Sequence, residues 1–210
     1  MKVLRYLLVG GCLLWSMSSL AQPPSVTSMK ALKMSGIERQ TQDYSCGAAA
    51  LSILLTDYFD DPLDELTLLT DMLSRLSPEE VQLRISDGFS MLDMKQQAER
   101  LGYMAEGILL PQESVQHLAG PVIILVQLDD LKHFVVLKGI TAGRAYLADP
   151  ARGNLRIPLY ELLEQWKGET LVLGRADIGL PKYHGLALPT GSARAPETDV
   201  VRSLKFSPIH

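Results

Sequence analysis

Residues 39–55, RQTQDYSCGAAALSILL, pass from a polar, turn-like run into an apolar run rich in alanine. Over residues 47–59 the apolar side chains fall on nearly every side of a helical wheel, which predicts a helix buried on all faces. Cys46 stands at the first turn of this helix. The residues around it decide whether Cys46 is a packing residue or a reactive one.

The N-terminal segment MKVLRYLLVGGCLLWSMSSLAQPP has the parts of a Sec-type signal peptide: the basic residues Lys2 and Arg5, an apolar stretch, and small residues up to Ala21. We predict that residues 1–21 are a signal peptide removed on export; the alternative is an uncleaved N-terminal anchor. No other apolar run approaches the ~20 residues of a membrane-spanning helix. We therefore expect no stable membrane insertion after cleavage.

Removal of the signal peptide leaves Cys46 as the one cysteine and changes the net charge from −4 to −6, since Lys2 and Arg5 are lost. This mild acidity, without a basic stripe, argues against a nucleic-acid partner. One cysteine and scattered histidines do not assemble a zinc site, so we expect no metal and no other cofactor. An unpaired cysteine in an exported protein indicates a reactive thiol, an intermolecular disulfide or a small buried hydrophobe.

The order of predicted elements is helices first and then an antiparallel sheet, which is the α+β class. Residues 22–36 are interpreted as a linker or short edge element, residues 37–180 as one domain, and residues 181–210 as a flexible tail. Helices are predicted over residues 63–76, after Ser77, and after the capping box formed by Ser90 and Asp93. Strands and two short helices follow: strands at 103–110, 121–128, 133–140, 144–150 and 169–175, and helices at 111–120 and 158–166.

The position of Cys46 favours a thiolate, because unpaired amides and the positive end of the helix dipole stabilise negative charge there. Gly47 allows close approach of a substrate, and the Cys46 amide is placed to help bind an oxyanion. The alternative is a structural cysteine, because many apolar helices begin with small residues.

Of the four histidines, His133 is the candidate base for this cysteine. It opens an apolar strand directly after the polar loop DDLK. His210 is the C-terminal residue, His184 lies in the predicted tail, and His117 has no suitably spaced acid and is interpreted as a surface residue. The alternative for His133 is a structural histidine with satisfied hydrogen bonds.

The register of the predicted hairpin brings an acid to His133. A turn centred on Ala142 sets Asp149 opposite Val135, so His133 and Asp149 lie on one face as diagonal neighbours, about 7–8 Å apart between backbones. Asp149 would then hold the tautomer of the ring. A slip of one residue would put the two on opposite faces. The alternative for Asp149 is an ordinary Asp-Pro turn.

A donor to a developing oxyanion is expected in the polar segment before the helix. Gln40, six residues before Cys46, and Gln42 both carry a side-chain amide that can donate to negative charge. Spacing alone does not choose between them.

The sequence RQTQDYSCGAAAL resembles the cysteine motif of the C39 peptidases, papain-like enzymes known from bacteriocin-processing transporters. KHFVVLKGI and AYLADPARG resemble the histidine strand and Asp-Pro turn of that family, in the same order, and the resemblance covers about residues 37–174. It implies a papain-like fold with Cys46 as nucleophile, His133 as base and Asp149 as orienting acid. It also implies that Gln40, rather than Gln42, is the oxyanion donor.

The chain departs from transporter-borne members in its predicted signal peptide and in showing no transmembrane or nucleotide-binding part. This weighs against cytoplasmic leader peptides ending in Gly-Gly as substrates. A stand-alone exported form resembles the periplasmic C39-like component of the functional-amyloid (Fap) secretion system of Gram-negative bacteria. That resemblance implies a periplasmic location and a polypeptide substrate, either an amyloid subunit or another secretion-system protein.

The first functional hypothesis is therefore a periplasmic cysteine endopeptidase. The second is a C39-like module that captures a peptide without cutting it, whose signature would be loss of the cysteine or the histidine. A third, thiol–disulfide exchange, is disfavoured because no second cysteine remains after processing.

Overall fold

The structure is a computed structural model that describes residues 28–188, except Asp130 and Ile178. The predicted signal peptide lies outside the described residues, as do residues 22–27 of the predicted linker and residues 189–210 of the predicted tail. The described residues begin just before a short helix and end shortly after the last strand.

The described residues form helices followed by an antiparallel sheet, as the sequence predicts. The helices are α1 (Met29–Lys33), α2 (Cys46–Phe59), α3 (Glu65–Ser74), α4 (Pro78–Asp87), α5 (Met91–Arg100) and α6 (Leu159–Gln165), with a 3-10 helix at Gln112–His117. The strands are β1 (Met104–Leu109), β2 (Val122–Leu128), β3 (Leu131–Thr141), β4 (Arg144–Asp149), β5 (Gly153–Pro158) and β6 (Trp166–Gly174). Among the helices of residues 28–188, none combines the length and apolar composition needed to cross a membrane.

Local sequence accounts for where the helices begin and end. Twelve of the 14 residues of α2 are buried, which confirms the predicted all-round apolar helix. Ser77 and Ser90 begin α4 and α5, and each forms the reciprocal bonds of a capping box with the residue three positions later. α2 ends at Phe59, and the next residue, Asp60, turns the chain away with a left-handed φ of 57°.

The sheet has the strand order β1-β6-β2-β3-β4-β5, with every neighbouring pair antiparallel. β6, the last strand in sequence, therefore lies between β1 and β2. The predicted central position of β2 is confirmed. One apolar core joins the sheet to the helices α2, α3 and α5. A second core lies against α6 and the 3-10 helix. The N-terminal end of α2 lies near the end of β3 where His133 is found.

Two elements are not predicted from the sequence, the edge strand β5 and the short helix α1 beside it. The Asn154 side chain of β5 donates hydrogen bonds to the backbone carbonyls of Lys33 and Ser35, at N–O distances of 3.1 and 3.0 Å. These contacts fix residues 29–35, within the predicted linker, onto the edge of the sheet. α1 thereby covers an edge that would otherwise present unpaired backbone groups.

A β-bulge sets the register of β3 against β4. The turn at Ala142 and Gly143, both with positive φ, pairs Thr141 with Arg144, and this alignment would place Asp149 opposite Val136. An extra residue, Lys138, shifts the pairing, so that Leu137 faces Leu147 and Val136 faces Ala148. The next pair in this register is Val135 with Asp149, as predicted from the sequence.

The first residues of the predicted tail are packed against α2. The Gly185 amide donates to the Asp57 carbonyl at an N–O distance of 2.7 Å, and the Leu186 side chain is buried in the core. The His184 ring meets the ring of Tyr58 edge to face. Residues 184–186 therefore belong to the packed structure, because Leu186 buries apolar surface and Gly185 satisfies a carbonyl in the last turn of α2.

Candidate active site

The Cys46 thiol lies at the positive end of α2. Cys46 is the first residue of the helix, is unpaired and is 7% exposed. The preceding Ser45 does not cap the helix with its side chain; its hydroxyl instead donates to the Gln42 carbonyl at an O–O distance of 2.9 Å. The first turn of α2 contains no acidic residue. The positive end of the helix dipole near the thiol is therefore not offset by a carboxylate of that turn.

His133 and Asp149 are in contact, as the predicted register requires. The distance between His133 Nε2 and Asp149 Oδ1 is 2.9 Å, and both residues are buried, with 5% and 0% of their surface exposed. A ring N–H that donates to the carboxylate from Nε2 leaves Nδ1 for the thiol. This bond orients the ring and selects its tautomer.

The pKa of His133 reflects both neighbours of the ring. Burial acts to lower this pKa, but hydrogen bonding and charge from Asp149 and Cys46 raise it from 6.5 to about 9. The ring is consequently protonated at neutral pH. A protonated imidazole beside a cysteine stabilises the thiolate form of that cysteine.

The Asp149 carboxylate is held by four donors. Oδ1 accepts from His133 and from the amides of Ala151 and Arg152, at N–O distances of 2.8 and 3.0 Å for the amides. Oδ2 accepts from Arg152 Nε at 2.6 Å. Burial acts to raise the pKa of Asp149, but the bonds with His133 and Arg152 lower it to about 2. The carboxylate is therefore ionised at any pH at which the protein would work.

Arg152 is the site residue that the sequence reasoning missed. It follows Asp149 by three residues within the segment DPARG, where the chain turns back between β4 and β5. The signal that would have found it is this spacing, because a tight turn after an aspartate returns the third residue to the carboxylate.

Gln40 lies on the loop before Cys46, and that loop is tied to the turn after Asp149. The Gln40 amide donates to the Pro150 carbonyl at an N–O distance of 3.2 Å. Its side-chain Nε2 donates to the Gln42 carbonyl at 3.1 Å, and its Oε1 is buried without a hydrogen-bond partner. Gln42, the competing glutamine, is exposed. The backbone of Gln40 is thus bonded to the residue after Asp149, whereas its side-chain amide is bonded within its own loop.

Glu65 anchors the same loop from α3. Its buried carboxylate accepts from the Thr41 amide at 3.0 Å and from the Thr41 hydroxyl at 2.9 Å. Thr41 stands between the two candidate glutamines. The loop is therefore held on one side by α3 and on the other by the turn after β4.

A cleft of about 440 Å³ opens beside Cys46. Its walls come from the segment before α2, from residues 84–91, and from strands β2 and β3. On β3 the lining residues include Lys132 and Phe134, the two neighbours of His133 in sequence. The lining is largely apolar and includes Phe89, Met91, Leu125 and Phe134. A cleft of this size suits the side chains of an extended peptide.

The remaining histidines lie elsewhere. His184 packs on Tyr58, at the end of α2 far from Cys46, and burial lowers its pKa. His117 is exposed at the end of the 3-10 helix, and His210 lies outside the described residues. Among the residues that the structure describes, His133 alone is paired with a buried carboxylate.

Comparison with known proteins connects this site to one family. Residues 35–177 match the family model of the Peptidase C39 family. A Pseudomonas aeruginosa protein named probable functional amyloid protease FapD is 37% identical over 143 residues, which cover 68% of this chain and 62% of that protein. A Pseudomonas fluorescens protein of the same name is 31% identical over 185 residues, which cover 88% of this chain and 77% of that protein. The match thus spans less than two thirds of the P. aeruginosa relative.

A solved structure supports the fold. The peptidase domain of Streptococcus ComA, a bi-functional ABC transporter involved in a quorum-sensing pathway, superposes with a TM-score of 0.55 at 19% identity. The superposition covers 66% of this chain and 97% of that domain. The predicted fold class, α+β with a papain-like arrangement, is confirmed.

Proposed function

The chain belongs to the peptidase C39 family, and from this premise we propose that it is a cysteine peptidase that cuts a peptide bond through Cys46, His133 and Asp149. The observation that carries the proposal is the buried contact between His133 and Asp149, 2.9 Å from Nε2 to Oδ1, next to the Cys46 thiol at a helix N-terminus. Such an arrangement supplies a nucleophile, a base and a group that orients the base.

In the first half of the reaction, the Cys46 proton resides on His133 and the thiolate attacks the peptide carbonyl carbon. The C–S bond forms, and the carbonyl electron pair moves to oxygen. Collapse of this tetrahedral intermediate breaks the C–N bond, and the imidazolium gives its proton to the leaving amine. The product is an acyl-enzyme and a neutral His133.

In the second half, neutral His133 takes a proton from water, which attacks the thioester carbonyl. Collapse of the second tetrahedral intermediate breaks the C–S bond and releases the carboxylic acid product, which then loses its proton to solvent. The thiolate of Cys46 is restored beside a protonated His133. Asp149 stays ionised throughout, since its pKa is about 2.

We assign the oxyanion donors to the Cys46 amide and the side chain of Gln40. As the first residue of α2, Cys46 has an amide with no partner inside the helix. The side-chain amide of Gln40 donates to the Gln42 carbonyl in this structure, so the side chain would have to rotate to donate to the oxyanion. Gln40 is favoured over Gln42 because its backbone is bonded to Pro150, next to the orienting acid.

The substrate we propose is an extended polypeptide of a secretion pathway, either a functional-amyloid subunit or an associated secretion protein. The names of the two Pseudomonas relatives and the apolar cleft beside Cys46 support this choice. The signal-peptide pattern of residues 1–21 supports a periplasmic location. Fractionation of cells that express the full chain tests the location; recovery from the cytoplasm at full length would contradict it.

Alkylation of Cys46 by iodoacetamide tests the cysteine–histidine pair. We expect fast alkylation at pH 7 in the wild type and alkylation at least about tenfold slower in His133→Ala, because the ring stabilises the thiolate. His117→Ala, which removes an exposed histidine, is the matched control and is expected to react like the wild type. Equal rates in all three proteins would indicate an ordinary thiol and a module that binds peptides without cutting them.

Cells that carry either the wild-type chain or Cys46→Ala test cleavage and identify the substrate. We expect a shortened protein among the exported polypeptides of wild-type cells and its full-length precursor in the variant. Identical exported proteins in both strains, with the variant folded and present, would refute the peptidase.

A further inference from the structure

We propose that Arg152 is a positioning residue that tunes His133 by sharing the Asp149 carboxylate with it. The proposal rests on the proposed function, because His133 matters to the chemistry only if it serves Cys46. Arg152 is not among the residues that line the cleft beside Cys46, and its side chain bonds Asp149. We expect its effect on His133 to pass through Asp149.

The geometry divides the carboxylate between two cations. Oδ1 is held in place by the amides of Ala151 and Arg152 and accepts from the His133 ring. Oδ2 accepts from Arg152 Nε at 2.6 Å, and this is its one hydrogen bond within the described residues. Asp149 is fully buried, so without Arg152 the oxygen Oδ2 would be a buried anionic atom with no donor.

The charges around His133 indicate the direction of the effect. Asp149, from β4, and Cys46, from α2, both act to raise the pKa of the ring. Arg152 neutralises part of the Asp149 charge. If Arg152 is removed, the two backbone amides keep Oδ1 against the ring, and the full carboxylate charge then acts on His133. The imidazolium would hold its proton more tightly.

A more tightly held proton would slow the first half of the proposed reaction, in which the imidazolium has to give a proton to the leaving amine. The neutral ring would be a stronger base toward water, so the loss falls on formation of the acyl-enzyme and not on its hydrolysis. By this proposal Arg152 keeps the pKa of His133 closer to the working pH than it would be with Asp149 alone. Because the Arg152 side chain is 43% exposed, water screens its charge, and we expect a modest shift.

NMR titration of the His133 ring in Arg152→Gln tests the proposal without a peptide substrate. We expect the pKa of His133 to rise by roughly 0.5–1 pH unit, while Arg152→Lys, which keeps a positive charge, stays near the wild type. Arg156→Gln, an exposed arginine on β5, is the matched control and is expected to leave the pKa unchanged. Should Arg152→Gln fail to fold, Arg152→Met keeps the long apolar stem and serves for the same comparison.

A purely structural role for Arg152 makes a different prediction. Thermal stability would then fall in Arg152→Gln while the pKa of His133 stayed the same or fell, and this outcome would overturn the proposal. The titration is independent of cleavage. If the wild type cuts no peptide yet the pKa of His133 rises in Arg152→Gln, the proposed function fails and the effect of Arg152 on His133 stands.

Discussion

Replacement of Asp149 by asparagine tests whether the buried carboxylate sets the proton affinity of His133. Burial lowers the pKa of His133, but hydrogen bonding and charge from Asp149 and Cys46 raise it from 6.5 to about 9. At roughly 1.4 kcal/mol per pH unit, this rise corresponds to roughly 3 kcal/mol in favour of the protonated ring. Asparagine keeps the size of the side chain but removes its charge. Burial still lowers the pKa of His133 in Asp149→Asn and Cys46 still raises it, so we expect the pKa to fall from about 9 toward 6.5.

The assay combines NMR titration of the His133 ring with alkylation of Cys46. At pH 8, roughly nine tenths of the wild-type rings would be protonated, against a minority of the rings in Asp149→Asn. We therefore expect alkylation by iodoacetamide near neutral pH to slow by about tenfold. Asp43→Asn removes a negative charge from the cleft wall without a bond to His133 and is the control.

Stability gives a second measurement on the same variant. The pKa of His133 is higher in the folded than in the unfolded chain, so the pair stabilises the fold fully below pH 6.5 and less as pH rises through about 9. The wild type should lose up to about 3 kcal/mol of unfolding free energy between pH 6 and pH 10 from this pair, and Asp149→Asn much less. A variant whose His133 still titrates near 9 would refute the reasoning, because Asp149 would then not be the cause.

Three further predictions concern the backbone and the loop before Cys46. Gly153→Ala should lower the unfolding free energy by about 3 kcal/mol, because the φ of Gly153 is +82° and a Cβ would collide with the carbonyl of Lys33, the last residue of α1. Gly143→Ala is the control: its φ is +70° but its surroundings are open, so it should lower the unfolding free energy by about 1 kcal/mol. Equal melting temperatures of the two variants would contradict this difference. Glu65→Gln should lower the unfolding free energy, measured by urea denaturation, by about 2 kcal/mol, because the amide and hydroxyl of Thr41 lose a carboxylate acceptor. An unchanged urea midpoint would contradict this prediction. Gln40→Ala should lower kcat for peptide cleavage by about 10²-fold and leave the iodoacetamide rate unchanged, because alkylation forms no oxyanion; a parallel loss of both would assign Gln40 a structural role.

Patterns dominated by burial and local capping were predictable from the sequence. The continuous apolar run of α2 has one stable solution, a helix surrounded by other elements. Ser77 and Ser90 satisfy amides within their own first turns, so their helices begin where the residues indicate. The strand of His133 and the Asp-Pro turn after Asp149 are likewise local signals.

The register of the hairpin was predicted correctly, although two details of it were not. The turn contains Ala142 and Gly143 instead of being centred on Ala142, and the bulge at Lys138 shifts the strands by one residue in the compensating direction. A bulge depends on cross-strand packing, so the period-two pattern of β3 does not reveal it. The two errors cancel at Asp149.

Elements held by long-range contacts escaped prediction. β5 and α1 depend on bonds from Asn154 to backbone carbonyls about 120 positions earlier in the chain. Residues 184–186 fall in the segment interpreted as a tail from the sequence, but Leu186 lies in the core and fixes them. In sequence Arg152 is typical of a surface arginine, and only the turn after Asp149 brings its side chain back to that carboxylate.

Side chains alternate between the two faces of a strand, so the contact between His133 and Asp149 depends on whether the number of residues between them is odd or even. The extra residue in β3 is part of that number. Insertion or deletion of a single residue between His133 and Asp149 would rotate one of the two side chains through the sheet and separate them. A change of two residues, or a pair of single changes in the two strands, would restore the facing arrangement. Natural or designed length variation in this ribbon should therefore come in even steps wherever the histidine–carboxylate contact is kept.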